Sequence, residues 1–255
     1  MRRAIIGKSK GTPVTETPIH IARTSAPGFH IVEKTSKMIY PTLGNTVNTI
    51  TEDSNYLYVG GGFTGYFKVF DKTTLVEITG YPTISNTVYA IAEDSDYIYL
   101  GGSFTGRFMV IDKSTKAEVT GYPTISSTVR AIAEDSTYIY LGGDFTGYFK
   151  VIDKATKAEV TGYPTISSTV YSIAEDSDYI YVGGYFTNRF VVINRSTKVE
   201  VTGYPTFSGT VTAIAEDTDY IYLGGGFTNR FMVIDKSTKA EVTGYPTISG
   251  IVNGL

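Results

Sequence analysis

One stretch, TVYAIAEDSDYIYLGGSFTGRFMVIDKSTKAEVTGYPTISS at residues 87–127, recurs along the chain at a fixed interval. Glu-Asp falls at Glu52, Glu93, Glu134, Glu175 and Glu216, each step being 41 residues. Tyr-Pro falls at Tyr40, Tyr81, Tyr122, Tyr163, Tyr204 and Tyr245 with the same step. A period between about 20 and 50 residues means repeated supersecondary units that bury their faces on one another. It constrains the architecture before any local propensity is weighed.

Five full copies begin near Val47, Val88, Val129, Val170 and Val211. Ahead of them, residues 18–37 align on Phe29 with residues 97–116, placing Ile19, Ile21, Phe29 and Val32 on apolar positions. That makes a degraded partial copy over 18–44. At the other end, YPTISGIVNGL at 245–255 matches the opening of a copy at 81–91. Residues 1–17 match poorly and read as an arm, either flexible or serving as an anchor or extra strand. The expected organisation is this arm and then one domain over 18–255, with five repeats in 45–244 and a closing strand in 245–255.

Each copy holds four strand-like runs. In the second they are Val88–Ala92, Tyr97–Leu100, Phe108–Ile111 and Ala117–Thr120. The breaks between them carry Asp, Ser, Gly and Pro, which turn the chain for distinct physical reasons. Breaks this short predict antiparallel neighbours. The middle runs are apolar on both alternating faces, whereas a surface sheet shows one polar face. Four-stranded sheets covered on both sides and repeated radially describe a β-propeller. The sequence therefore predicts an all-β, six-bladed propeller whose last blade is closed by both termini, with five blades plus an N-terminal extension as the alternative.

The Gly-Gly-x-Phe-Thr motif, as at Gly101–Thr105, resembles the GGxFT-type propeller repeats of bacterial and phage surface proteins. It is also similar to Kelch repeats, which place a Gly pair there but usually carry a Trp that this chain lacks. The resemblance implies a propeller over residues 18–255.

The copies differ unevenly. The second and fifth, starting at Thr87 and Thr210, differ at five of 41 positions: Tyr89/Thr212, Ser95/Thr218, Ser103/Gly226, Gly106/Asn229 and Ser127/Gly250. Most of these lie where strand one begins or where strands two and three are joined, which a meander puts on one rim. Across all copies that rim carries Asn48, Tyr66, Tyr89, Arg107, Arg130, Asp144, Tyr148, Tyr171, Tyr185, Arg189 and Arg230. Tyr and Arg are enriched at binding hot spots, while variable loops also arise by drift in exposed segments. These eleven residues are the candidate ligand-binding rim.

Other chemistry is sparse. His20 and His30, the two histidines, are expected on alternating faces of adjacent strands, so they are not read as a metal site. Asp94-x-Asp96 reads as a hairpin turn, and the Glu of each Glu-Asp pair is expected to meet a Ser, Tyr or backbone group. The Gly pairs lack a following helix and Lys, so they are no phosphate loop. No nucleophile–base pair is evident, no cofactor is expected, and the chain is read as a non-enzyme.

The net charge is −3, but four basic residues against Glu16 give residues 1–17 a charge of +3 and leave −6 for the remainder. Nucleic acid needs a basic face, so it is not the expected partner. No apolar run reaches spanning length, and Ala4-Ile5-Ile6 is too short for a signal sequence. The expected function is a multivalent, lectin-like recognition module binding a carbohydrate or a surface protein, as a phage receptor-binding protein or adhesin does. The alternative is a structural virion or surface-assembly subunit that contacts neighbours through residues 1–17.

Overall fold

The computed structural model describes residues 43–255 and, ahead of them, two short strands, β1 (His20–Arg23) and β2 (Phe29–Val32). These two pair antiparallel with each other and, among the described residues, with no other strand. The pairing sets His20 opposite Val32 and Ala22 opposite His30. The histidines therefore occupy register positions of one face, not the alternating faces expected. The arm 1–17 lies outside the described residues.

The first unit contains β3 (Val47–Glu52), β4 (Tyr56–Gly61), β5 (Phe67–Asp71) and the two-residue β6 (Glu77–Ile78). The second contains β7 (Val88–Glu93), β8 (Tyr97–Gly102) and β9 (Phe108–Asp112). The third contains β10 (Val129–Glu134), β11 (Tyr138–Gly143) and β12 (Phe149–Asp153). The fourth contains β13 (Val170–Glu175), β14 (Tyr179–Gly184) and β15 (Phe190–Asn194). The fifth contains β16 (Val211–Glu216), β17 (Tyr220–Gly225) and β18 (Phe231–Asp235). Every unit is an antiparallel meander in sequence order.

This corrects the expected four-stranded blades and closed propeller. Units two to five are three-stranded, and among the described residues the five sheets follow one another without closing into a ring. In these units the fourth run pairs at a single residue, where unit one has the two-residue β6. It is confined between a left-handed Lys116 (φ 59°) and a left-handed Gly121 (φ 96°), with Pro123 just beyond. What survives is a single bridge, Ile111 to Glu118, and its counterparts in units three to five. The segment 245–255, expected as a closing strand, has no strand assignment. It still buries Val252, whose Cγ1 lies 2.4 Å from where a Cβ on Gly224 would sit, as Val88 Cγ1 lies 2.5 Å from one on Gly60.

The core lies between units. Within β8, Ile98 and Leu100 face the preceding unit and pack with Tyr58, Phe67 and Val69. Tyr99, with Phe108 and Val110, faces the following unit and packs with Val129, Ile139 and Leu141. Alternating β-branched and aromatic residues suit a pleated strand covered on both sides. Each fully buried Leu, Ile or Phe contributes about 1.5–3 kcal/mol, so a unit is stable only against its neighbours. Close approach needs the Gly pair: a Cβ on Gly101 would stand 2.6 Å from Val129 Cγ1 of the next unit.

Candidate functional site

Each meander has two chemically distinct ends. Register pairs Val88 with Gly102 and Gly101 with Phe108, so the start of strand one and the turn between strands two and three share one end. The Glu-Asp turn and the Asp-Lys turn share the other. The first end varies among copies and the second barely changes.

The constant end is an ion-pair ladder. Lys113 reaches back to Asp53 Oδ2 of the preceding unit (3.0 Å) and to Glu93 of its own (2.5 Å). Lys154 does the same with Asp94 (2.7 Å) and Glu134 (2.6 Å), and Lys236 with Asp176 (2.8 Å) and Glu216 (2.6 Å). Arg195 replaces the lysine in unit four, pairing with Asp135 and, at 3.3 Å, Glu175. Each of these aspartates also accepts a hydrogen bond from a fully buried tyrosine, as in Tyr99 to Asp94 at 2.6 Å. A buried phenol needs such a partner. The other oxygen of Asp94 accepts from the Asp96 and Tyr97 amides, which accounts for the Asp-x-Asp spacing as a turn. The Glu residues thus meet lysine or arginine, not the Ser, Tyr or backbone partners expected.

These contacts shift the acids in opposite directions. Burial works against the Asp53 carboxylate, but hydrogen bonds from Tyr58, the Asn55 amide and Lys113 outweigh it and bring its pKa down to about 2. Burial pushes Glu175 from 4.5 up to about 7, because Arg195 offsets it only in part. A carboxyl whose folded pKa is raised takes up a proton on folding, so its contribution to stability falls as pH rises between those two values. Glu175→Gln removes that dependence. The variant's Tm relative to the parent is expected to climb steadily from pH 4 to pH 8. A pH-independent difference, read by thermal melts across that range, would refute the assignment.

At the variable end every strand one carries a β-bulge. The register skips one residue between Val47 and Thr49, Val88 and Ala90, Val129 and Ala131, Val170 and Ser172, and Val211 and Ala213. The unpaired residues are Asn48, Tyr89, Arg130, Tyr171 and Thr212, a position at which the copies differ in chemistry. A bulge re-aims its side chain out of the ladder. First strands of successive units lie side by side, so the five bulges form a row.

In the middle of that row four candidate residues converge. The Arg130 guanidinium lies 5.4 Å from the Tyr89 ring centre and 5.5 Å from that of Tyr171, one unit away on either side. Arg130 Nε donates to both oxygens of Asp144 (2.9 and 2.8 Å), and Nη2 lies 2.7 Å from Oδ2. Hydrogen bonding to Asp144 pushes the guanidinium pKa further up. At the ends of the row, Asn48 donates to Val88 O (3.0 Å) and Thr212 to Val252 O (2.6 Å). Those two hold the next unit's backbone.

The remaining candidates divide. Tyr66, Arg107, Tyr148, Arg189 and Arg230 all have left-handed backbones, φ between 58° and 65°. That conformation costs a bulky residue about 1–2 kcal/mol. Tyr66 and Tyr148 pack on the core between units, and Arg107 folds back onto the Ser103 carbonyl. Tyr185 is 55% exposed, with the Arg189 guanidinium 4.2 Å from its ring centre. Sequence reasoning found the row but missed that it stands on bulges. It also missed the lysine ladder, although the near-constant Asp-Lys turn was its signal.

Among the described residues no group of three or more His, Cys, Asp or Glu is placed to hold a metal ion. No helix there is long and apolar enough to cross a membrane. Fold and site together define an all-β tandem-repeat protein with one constant and one variable end. No family model matches the chain, and no curated protein does. Among solved structures it is similar to the computationally designed Ika8 protein. The two share 14% identity with a TM-score of 0.64, over 95% of this chain and 88% of that one. At that identity the likeness speaks for the fold alone.

Proposed function

We propose that this protein is a non-enzymatic recognition module that engages a glycan or surface protein through the bulge-bearing end of its repeats. The observation that carries the reading is the contrast within each unit. One end repeats the same ion pairs, while at the other the same bulge presents Asn, Tyr, Arg, Tyr and Thr in turn. A scaffold that fixes the backbone and varies the presented group is the arrangement of a recognition surface, where function sits on positions held by a rigid frame. Tyr and Arg supply large contact area together with hydrogen bonding.

Binding of the whole protein to a glycan array and to a panel of surface proteins is expected to fall at least tenfold in the Tyr89→Ala/Arg130→Ala/Tyr171→Ala variant. Undiminished binding in a folded variant would put the ligand elsewhere. The assembly role rests on residues 1–17, outside the described residues. It predicts lost assembly on their deletion with the triple variant unaffected.

A further inference from the structure

We infer that the ligand is a neutral oligosaccharide, held once per chain at a composite site over units two to four. The inference rests on the recognition reading above and narrows it. Five equivalent bulges would offer five similar sites, but the side chains do not permit that. Asn48 donates to Val88 O and Thr212 to Val252 O, and neither supplies an aromatic surface. Only the three central bulges carry Tyr, Arg and Tyr, and they are coupled: Arg130 lies between Tyr89 and Tyr171 at 5.4 and 5.5 Å. The exposed Tyr185 extends the same end within unit four. Tyr89, Arg130, Asp144 and Tyr171 thus form one cluster, with Tyr185 on the same end.

Its charge is compensated. Asp144 pairs with Arg130 through Nε and Nη2, a geometry that fixes both groups. An anionic ligand approaching Arg130 would meet the Asp144 carboxylate. A neutral polyol does not. Adjacent hydroxyls can donate to the free lone pairs of Asp144 and accept from Arg130 Nη1, so one sugar diol can bridge the pair. Tyr89 and Tyr171 are half-buried beside the pair, and the ring surface that Arg130 leaves uncovered can meet the C–H surface of a pyranose, while the polar pair sets orientation, as in small-ligand sites generally.

The test is titration calorimetry of the full chain with cellotetraose, maltotetraose and mannotetraose, and with a tetragalacturonate of matched length. One neutral tetramer is expected to bind near 1:1. Arg130→Ala and Asp144→Ala should each weaken it at least tenfold, with Glu118→Ala, distant from the patch, as the unchanged control. Asp144→Asn keeps the side-chain shape, and it should admit the galacturonate that the parent rejects. Far-UV circular dichroism and urea midpoints establish that each variant is folded. Preference of the parent for galacturonate overturns the ligand class but leaves the recognition reading. A stoichiometry of several per chain overturns the single site. If no saccharide binds but a protein ligand is lost on Arg130→Ala, the inference fails and the recognition reading stands. If neither is seen, both fail.

Discussion

Gly143→Ala is expected to cost about 3 kcal/mol or more, at the upper end of what overpacking does to a tight core. The added Cβ would stand 2.1 Å from the Thr128 carbonyl oxygen and 3.0 Å from Val129 Cα. Both are backbone atoms, so no side chain can rotate away. The bulge in β10 holds that backbone in place opposite the Gly pair. With a total stability of roughly 5–15 kcal/mol for an ordinary domain, the loss would show as a large drop in urea midpoint. Gly226→Ala is the control, because nothing lies within 4 Å of its added Cβ, and its midpoint should stay put. Equal midpoints for the two variants would mean that the units do not pack as closely as described.

The second large effect is expected from Asp94→Ala. The substitution strands a buried tyrosine hydroxyl, removes one of the two acids on Lys154 and frees the turn amides of Asp96 and Tyr97. Breaking a fully buried ion pair costs about 3–5 kcal/mol, and partial exposure here argues for roughly 2–3 kcal/mol on the same scale. Asp217→Ala makes the comparison inside one molecule. Asp217 holds Tyr222 at 2.7 Å and the same turn amides. Among the described residues, however, it has no salt-bridge partner and is exposed. Its loss should cost about 1 kcal/mol or less, as surface hydrogen bonds do. If the two aspartates prove equal in urea unfolding, the inter-unit lysine contributes nothing.

Much of this architecture could be read from the chain, because spacing is a property of sequence itself. The period, the antiparallel meander and the two-faced apolar strands around Tyr97–Leu100 all follow from residue order, and the structure has them. The fourth strand could not be judged from composition. Ala117–Thr120 has reasonable strand character, yet left-handed Lys116 and Gly121 leave it room for only one bridge. The alignment of the two termini points to ring closure, but alignment does not say which edges meet. At the site, the variable positions were visible as differences among copies. Which of them touch was not, because Tyr89, Arg130 and Tyr171 lie 41 residues apart and meet only when first strands stand side by side. Tyr66 and Tyr148 stand among the rim candidates in sequence, and the structure places them on core contacts.

The lysine that reaches back one unit makes copy number an adjustable property of the chain. From the second copy on, each brings the cation for its predecessor's aspartate, and its strand-one Val, as at Val88, meets that predecessor's glycine. It also brings the glycine and acid that its successor needs. A copy inserted in phase between two others finds its glycine–valine and lysine–aspartate contacts already written, while five existing copies carry four different residue types at the bulge. Lineages or engineers could lengthen the array by duplication and then diversify one residue per copy, without redesigning a single packed surface.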